Sequence, residues 1–310
     1  MYLLTVIIPI YNASAWLHEC MESILYALPN NTCDVQIILV DDGSVDCSNI
    51  ICDEYAASYS FIEVLHKANG GVASARNAGL GLARGRYIAW IDPDDRINSS
   101  WFTKIQSVLL KEQPDLLVFD MIRFNEQSSR PEIYGRNCGW IPRDQFICDL
   151  FRDIRMLSGL PNKVIRADLF SGVHFDAALP ILEDFQAMPR ILEHVQTVYY
   201  LPECLYHYRQ HNSSLLHHIT PERAFLSFEI ARQRACEVAA EYRPAAETAA
   251  AVQAHVFCRN QHAFPPYSLK KQQVRCCRQY VQARLSAIST DPNIPVMWKL
   301  KFLLTAMGIL

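Results

Sequence analysis

Four short apolar runs in the first hundred residues constrain the fold more than any other feature of the chain. They are "LTVIIPI", "VQIILVDD", "FIEVLH" and "YIAWIDPDD", and the first two are rich in the β-branched residues typical of strands buried on both faces. Segments with helical spacing separate them, as in "ASAWLHECMESILYAL" after the first run. This β-α-β-α-β-α-β order predicts an α/β fold with a mostly parallel sheet and helices on both faces.

Acidic residues follow two of these predicted strands at the point where each strand ends. Asp41 and Asp42 end the second strand, and Asp92, Asp94 and Asp95 end the fourth. Because ligands of open α/β sheets bind beyond the carboxyl ends of the strands, we expect these acids to face one shared crevice. Three carboxylates within four residues repel one another, so they predict a bound cation; a solvated turn is the alternative.

The composition changes after about residue 220. Residues 1–220 contain 17 Lys and Arg against 26 Asp and Glu, whereas residues 221–310 contain 12 against 6. The later part is rich in Ala, Arg and Gln with helical spacing, and just before it "TVYYLPECLYHYRQH" predicts a closing hairpin. We therefore predict a domain at 1–220, with halves at 1–98 and 99–220, and a helical region at 221–310. A basic tail on an acidic body indicates an anionic partner for the tail.

The eleven cysteines are scattered and form no CxxC pair, which favours free thiols in a reducing cytosol over a disulfide scaffold. The apolar start "MYLLTVIIPIY" lacks the basic region and the cleavage site of a signal peptide. No stretch reaches the roughly 20 uninterrupted apolar residues that span a bilayer. These features predict a cytoplasmic protein, either soluble or peripheral to a membrane.

Six motifs occur in the order "VIIPIYNA", "VDDGSVDCS", "NGGVASARNAGL", "GRYIAWIDPDD", "ILEDF" and "YHYRQHNSS". In order and approximate spacing they resemble the family 2 glycosyltransferases, which have a GT-A (Rossmann-like) fold. The resemblance implies an inverting enzyme that uses Mn²⁺ or Mg²⁺ to move a sugar from a UDP-sugar donor to a hydroxyl of a glycan or lipid-linked saccharide. Family habit further implies a product in lipopolysaccharide, capsule or another surface polysaccharide, and no nucleic-acid partner.

The resemblance assigns roles to the acids of "DPDD". Asp94 would ligate the metal directly, Asp92 would contact the ribose or the metal and its waters, and Asp95 would help to position the sugar. Hard cations prefer carboxylate oxygens, and such a cation can neutralise the charge that develops on the departing diphosphate. Pro93 stands where the family more usually has Ser, and it stiffens the turn without removing a carboxylate.

The remaining donor contacts follow from the other motifs. Either Asp41 or Asp42 would accept a hydrogen bond from the uracil N3–H, and Asp42 is equally suited to holding the turn. Arg76 would lie against the uracil or the phosphates. The other residues that the resemblance assigns to the nucleotide sugar are Pro9, Tyr11, Asn12, Arg209, His211 and Ser213. A stacking role and a packing role for Tyr11 stay open, and the last three residues would grip the diphosphate.

The motif "LEDF" carries the reaction in this resemblance. Asp184 would be the base that takes the proton of the acceptor hydroxyl, and Glu183 would bind or orient hydroxyl groups. By itself, a Glu-Asp pair at this place is typical of a helix start. Two alternatives remain. A non-catalytic nucleotide-sugar-binding partner subunit is disfavoured by the intact Asp92, Asp94 and Asp184, and a nucleotidyltransferase is disfavoured because "PIYNASAW" is not a Gly-rich basic loop.

The C-terminal stretch "VMWKLKFLLTAMGIL" combines large apolar residues with two lysines in fifteen residues. It is too short and too charged to span a bilayer. Two interpretations are equally supported by the sequence. The stretch contacts the cytoplasmic face of the inner membrane, where Trp and Lys are favoured, or it packs on the catalytic body or in a homodimer.

Overall fold

The computed structural model describes residues 2–28, 34–154, 156, 158–211, 220–260 and 268–309, with backbone alone for 268–270. The chain divides into two compact units. The first comprises Met1–Arg143 and Gly159–His211, and the second comprises Asp144–Ser158 and Asn212–Leu310. The second unit thus includes residues 144–158, which the sequence analysis placed in the first domain. In the described part of the chain, no helix is both long and apolar enough to cross a membrane.

The described residues of the first unit form one mixed sheet. Its strands are β1 (Tyr2–Ile10), β2 (Val35–Asp41), β3 (Ile62–His66), β4 (Gly85–Trp90), β5 (Arg96–Ile97), β6 (Leu116–Phe124), β7 (Ser129–Glu132), β8 (Gly139–Ile141), β9 (Lys163–Arg166) and β10 (Val198–Arg209). The strand order is β3-β2-β1-β4-β9-β6-β10-β5, with β7 beside β6 and β8 beside β10. The first four strands are parallel, and β9 is antiparallel between β4 and β6.

The described helices are α1 (Leu17–Ala27), α2 (Ser48–Ser58), α3 (Val72–Leu82), α4 (Trp101–Lys111), α5 (Arg143–Arg152), α6 (Glu183–Glu193), α7 (Pro221–Glu237), α8 (Arg243–Arg259), α9 (Ser268–Thr290) and α10 (Val296–Met307). A short 3-10 helix spans Ala167–Phe170. Helices α1 to α3 connect β1 to β4 in the predicted alternation, and α7 to α10 form the predicted helical C-terminal region. The predicted α/β fold class is therefore confirmed.

The surroundings of strand β1 explain why its sequence is almost entirely apolar. Successive side chains of a strand point to opposite faces of the sheet. Val6, Ile8 and Ile10 pack in one cluster with residues of α1 and α4. Ile7 points the other way, towards Gly79 of α3. Helices therefore cover both faces of the sheet, and the strand is buried from Leu4 to Ile10.

The predicted closing hairpin is wrong: the segment forms the single strand β10, parallel to β6. The register against β6 shifts between Leu201 and Cys204 and again between Cys204 and Tyr206. Pro202 and Glu203, which resemble a turn in the sequence, lie in this irregularity. Proline has no N–H for the ladder and is tolerated at bulges, so the strand bends there without reversing.

Two glycines of α3 offer a matched test of this packing. A Cβ added at Gly79 would lie 2.4 Å from Cγ2 of Ile7, whereas a Cβ at Gly81 would meet nothing within 4 Å. We expect Gly79→Ala to lower the free energy of unfolding by about 1–3 kcal/mol through overpacking. Gly81→Ala should leave it unchanged or raise it by up to about 1 kcal/mol through helix propensity. Urea unfolding measures both, and equal effects would contradict this packing of α3 on β1.

Candidate active site

The segment after β1 is tied to the segment after β2 by Asn12. Its backbone N–H donates to Ser44 Oγ (3.0 Å), and its Oδ1 accepts from the Val45 N–H (2.9 Å). Asn12 has a φ of 51°, a left-handed conformation that Asn tolerates better than most residues. Tyr11 beside it is 51% exposed, which favours the stacking role over packing. Pro9, in contrast, is buried within β1 and lies behind this edge.

Asp41 and Asp42 are both buried at the end of β2, at 3% and 2% exposure. Asp41 accepts hydrogen bonds from the Ser44 N–H (3.0 Å) and from His66 Nδ1 (2.9 Å). Burial alone would raise the pKa of Asp41, but these hydrogen bonds hold it below its ordinary value, so the carboxylate is charged. The hydrogen bond to Asp41, and after it the one to Asp53, raises the pKa of His66.

Asp42 holds the loop between β3 and α3. Its carboxylate accepts from the N–H groups of Gly70 (3.1 Å) and Gly71 (2.7 Å) and pairs with the Lys67 ammonium. The structure thus gives Asp42 the turn-holding role that the sequence left open. Asp41 accepts its two hydrogen bonds on different oxygens, so it keeps acceptor capacity for a uracil N3–H.

Arg76 joins three elements at the carboxyl edge of the sheet. Its side chain, on α3, is 6% exposed and forms an ion pair with Glu183, the first residue of α6. Its Nη2 lies 3.6 Å from Oδ1 of Asp92, just after β4. The guanidinium also lies 5.9 Å from the ring centroid of Trp90. Arg76 therefore places one positive charge between two carboxylates in a site largely shielded from water.

Asp92 and Asp94 are the partly exposed acids of "DPDD", with side chains 28% and 26% exposed. The pKa of Asp92 is raised to about 6, chiefly by burial; Arg76 lowers it, while the charges of Asp94 and Asp184 raise it. Arg76, which lies 3.6 Å from Asp92 and pairs with Glu183, links Asp92 to the residue beside Asp184.

Asp95 differs from its predicted role. It is 1% exposed, and its carboxylate accepts from the Tyr206 hydroxyl (2.5 Å) and from the Arg209 N–H (2.7 Å). Burial and the charges of Asp92 and Asp94 raise its pKa well above the ordinary value. With both oxygens bonded inside the protein, Asp95 ties the end of β10 to the turn after β4, and no part of it is placed to hold a sugar.

The side chains at this edge can be compared with the ligands that a divalent cation requires. Within the described ranges, no group of three or more His, Cys, Asp or Glu side chains is arranged to hold a metal. Asp92 and Asp94 nevertheless present carboxylate oxygens to the crevice. Mg²⁺ usually takes one or two protein carboxylates and completes its shell with phosphate oxygens and water, so two acids fit a metal that arrives with a diphosphate.

The two acids of "LEDF" have different surroundings at the start of α6. Glu183 is buried at 5% exposure and paired with Arg76, so it holds α6 to α3 in place of the predicted contact with hydroxyl groups. Asp184 is partly exposed, and its Oδ1 accepts from the Phe185 N–H (2.6 Å). Asp184 is thus the acid of the pair that can reach an acceptor.

Arg209 and His211, which we expected to grip the diphosphate, contact other parts of the site. Arg209 pairs with Glu19, donates from Nε to the carbonyl oxygen of Asp94 (2.8 Å) and lies 4.7 Å over the ring of Trp16. His211 Nε2 lies 2.8 Å from Oδ2 of Asp94.

Sequence reasoning missed Trp16 and Glu19, since an apolar or acidic residue near a helix start has no distinguishing pattern. Ser213 lies outside the described residues.

Comparison with known proteins shows the family to which this chain belongs. The model of Glycosyl transferase family 2 matches residues 5–179. Glycosyltransferase GlyG of Streptococcus pneumoniae is 30% identical over 223 residues, which cover 69% of this chain and 73% of that protein. The minor teichoic acid biosynthesis protein GgaB of Bacillus subtilis is 34% identical over 218 residues. That match covers 67% of this chain but spans only 23% of the length of GgaB.

The fold is also similar to solved structures. The crystal structure of S. aureus TarS 1–349 gives a TM-score of 0.70 at 18% identity and covers 99% of this chain and 88% of that one. The same TarS fragment in complex with UDP-GlcNAc gives a TM-score of 0.68 at 17% identity. The chain therefore belongs to glycosyl transferase family 2, and it is a glycosyltransferase with a GT-A fold and a helical C-terminal region.

Proposed function

We propose that the enzyme is a metal-dependent inverting transferase that moves a sugar from a UDP-sugar to a hydroxyl of a glycan or lipid-linked saccharide. The observation that carries this proposal is the position of Arg76, which lies 3.6 Å from Asp92 and pairs with Glu183, the residue beside Asp184. A cation-binding pair, Asp92 and Asp94, and a candidate base, Asp184, would then lie around one donor sugar. The UDP-GlcNAc complex of TarS supports UDP as the nucleotide.

In the proposed reaction the acceptor oxygen attacks the anomeric carbon from the side opposite to UDP. Asp184 takes the hydroxyl proton as the new C–O bond forms and the bond to the diphosphate breaks. An α-linked donor then gives a β-linked product. Asp94 and Asp92 would hold Mn²⁺ or Mg²⁺, which when bound neutralises the negative charge of the diphosphate. Arg76 keeps Glu183 and Asp92 in place around this site.

The donor contacts at the rim belong to the same proposal. The exposed ring of Tyr11 would stack on the uracil, and Asn12 would hold its loop for that contact. Arg209 and His211 would exchange their present acidic partners, Glu19 and Asp94, for diphosphate oxygens. Such an exchange replaces one polar contact by another, so it leaves neither side chain without a partner.

The proposed product is a bacterial surface polysaccharide. The similarity to GgaB, which is described as a teichoic acid biosynthesis protein, supports this class, and lipopolysaccharide or capsule are narrower choices within it. The identity of the sugar depends on side chains around the donor ring. A screen of UDP-sugars for hydrolysis identifies it.

Calorimetric titration with UDP, with and without Mn²⁺, tests the donor site. We expect Mn²⁺ to tighten UDP binding by at least about tenfold in the unmodified enzyme, because it screens the diphosphate from the acids. Asp94→Ala should abolish this enhancement. Glu22→Ala, which removes an exposed carboxylate from α1, is the matched control and should retain it. An equal Mn²⁺ effect in all three proteins would remove the metal role of Asp94, and an absence of UDP binding would overturn the proposed donor.

A further inference from the structure

Helix α10 presents an exposed apolar stripe. Val296, Leu300, Leu303 and Met307 follow one another at spacings of four, three and four residues, so they share one helix face. Their exposed fractions are 80%, 48%, 41% and 61%. The opposite face is buried, and Phe302 there is fully enclosed in the core of the second unit. The stripe is therefore a second apolar face, distinct from the one that holds the helix in the fold.

The last part of α9 extends this stripe into a groove. The groove has a volume of about 480 Å³ and is lined by Leu285, Ser286 and Ser289 of α9 and by Val296, Lys299, Leu300 and Leu303. Lys299 Nζ donates to the carbonyl oxygen of Ser289 (2.8 Å) at one end. At the other end, the guanidinium of Arg278 lies beside Gly308. A basic side chain thus stands at each end of the apolar face.

The charged residues of helices α9 and α10 and the segment between them are mostly basic. Residues 268–309 contain seven Lys and Arg and one acidic residue, Asp291. Lys271 and Arg275 are exposed on α9, and Lys301 lies with its Nζ 4.2 Å from the ring of Trp298. Long basic side chains can lay their apolar stems along such a face while their charges reach phosphate groups. An apolar stripe with a basic surround is complementary to an anionic lipid surface.

We propose that the α9–α10 face docks on an anionic lipid surface, with α10 in the plane of the headgroups and its exposed stripe among the acyl chains. A helix of 12 residues is about 18 Å long and cannot span a bilayer, so it lies along the surface. A symmetric dimer through the same face would bring two basic segments together, which disfavours a second copy as the occupant. The proposal does not depend on the proposed sugar transfer.

Co-sedimentation of the full chain with phospholipid vesicles tests this surface. We expect at least about tenfold stronger binding to phosphatidylcholine mixed with phosphatidylglycerol than to phosphatidylcholine alone, and weaker binding at high salt. Leu300→Asp/Leu303→Asp should lower binding to the anionic vesicles by at least about tenfold. The control is Ile50→Asp/Leu110→Asp, which places the same charges at exposed apolar positions, 55% and 59% exposed, in the first unit.

Equal losses of vesicle binding in the two double variants would overturn the proposal. Vesicle binding that depends neither on lipid charge nor on Leu300→Asp/Leu303→Asp would overturn it as well. Sedimentation velocity tests the alternative that a second copy of this chain occupies the face. A dimer that Leu300→Asp/Leu303→Asp dissociates, without vesicle binding by the unmodified chain, would make this face a subunit interface. Unchanged circular dichroism and UDP binding in the variant would show that the loss of lipid binding comes from the surface itself and leaves the donor site intact.

Discussion

Asp184→Asn is expected to lower kcat by about 10²–10⁴-fold while UDP binding stays unchanged. Asparagine fills the same volume and still accepts a hydrogen bond, as Asp184 does from the Phe185 N–H, so the start of α6 should keep its structure. It cannot accept the proton of the acceptor hydroxyl. Initial-rate assays with the donor identified by hydrolysis, together with calorimetric titration of UDP, separate the chemical step from donor binding.

Asp176→Asn is the matched control for this substitution. Asp176 is exposed on the loop before α6, and its Oδ1 accepts from the Ala178 N–H (2.9 Å), a bond that asparagine can also accept. The activity of Asp176→Asn should equal that of the unmodified enzyme. Retention of near-normal kcat in Asp184→Asn would remove Asp184 as the base. An unmodified chain that binds UDP yet transfers no sugar would support the alternative of a non-catalytic partner subunit.

Arg76→Met is expected to lower the free energy of unfolding by about 3–5 kcal/mol, the cost of leaving a buried charge without its partner. Arg76 and Glu183 have side chains 6% and 7% exposed, and Asp92 loses the same counter-charge. Methionine keeps an apolar stem of similar length beside Trp90, so the main change is the charge. Thermal or urea unfolding followed by tryptophan fluorescence measures the loss.

Two further variants show whether this loss comes from buried charge. Arg84→Met makes the same change at an arginine that is 56% exposed and paired with Glu63, and it should cost about 0–1 kcal/mol. In Arg76→Met/Glu183→Gln the uncompensated carboxylate is gone, so the double variant should be more stable than the sum of the two single losses predicts. Strict additivity, or equal costs for Arg76→Met and Arg84→Met, would contradict a buried ionic link between α3 and α6.

The location of the site could be predicted because it follows from local sequence patterns. The largely apolar runs of β1 and β2 are typical of strands buried on both faces, and their alternation with helices places the carboxyl ends of parallel strands at one edge. Asp92 and Asp94 directly follow such a run, so they had to lie at that edge. The order of the motifs then identified the family, which the match over residues 5–179 shows.

The roles of individual acids could not be predicted in the same way. Asp94 and Asp95 are neighbours with identical side chains, yet one is partly exposed and the other is enclosed by Tyr206 and Arg209 of β10. The insertion of β9 antiparallel between β4 and β6 is likewise invisible in the strand pattern. Strand direction in a sheet depends on which neighbours the chain returns to, and a period-two pattern is the same in both directions.

The sequence by itself determined the α/β class, the edge of the sheet that carries the site, and the acids available there, since each depends on residues close together in the chain. The tertiary structure alone decided which charges meet. Arg76 pairs with Glu183 across 107 positions, and Arg209 pairs with Glu19 across 190. Such pairs form because folding brings distant charges together. For Arg76 and Glu183 this happens in a place with little water, where each charge needs a partner, and no local pattern of residues records that partner.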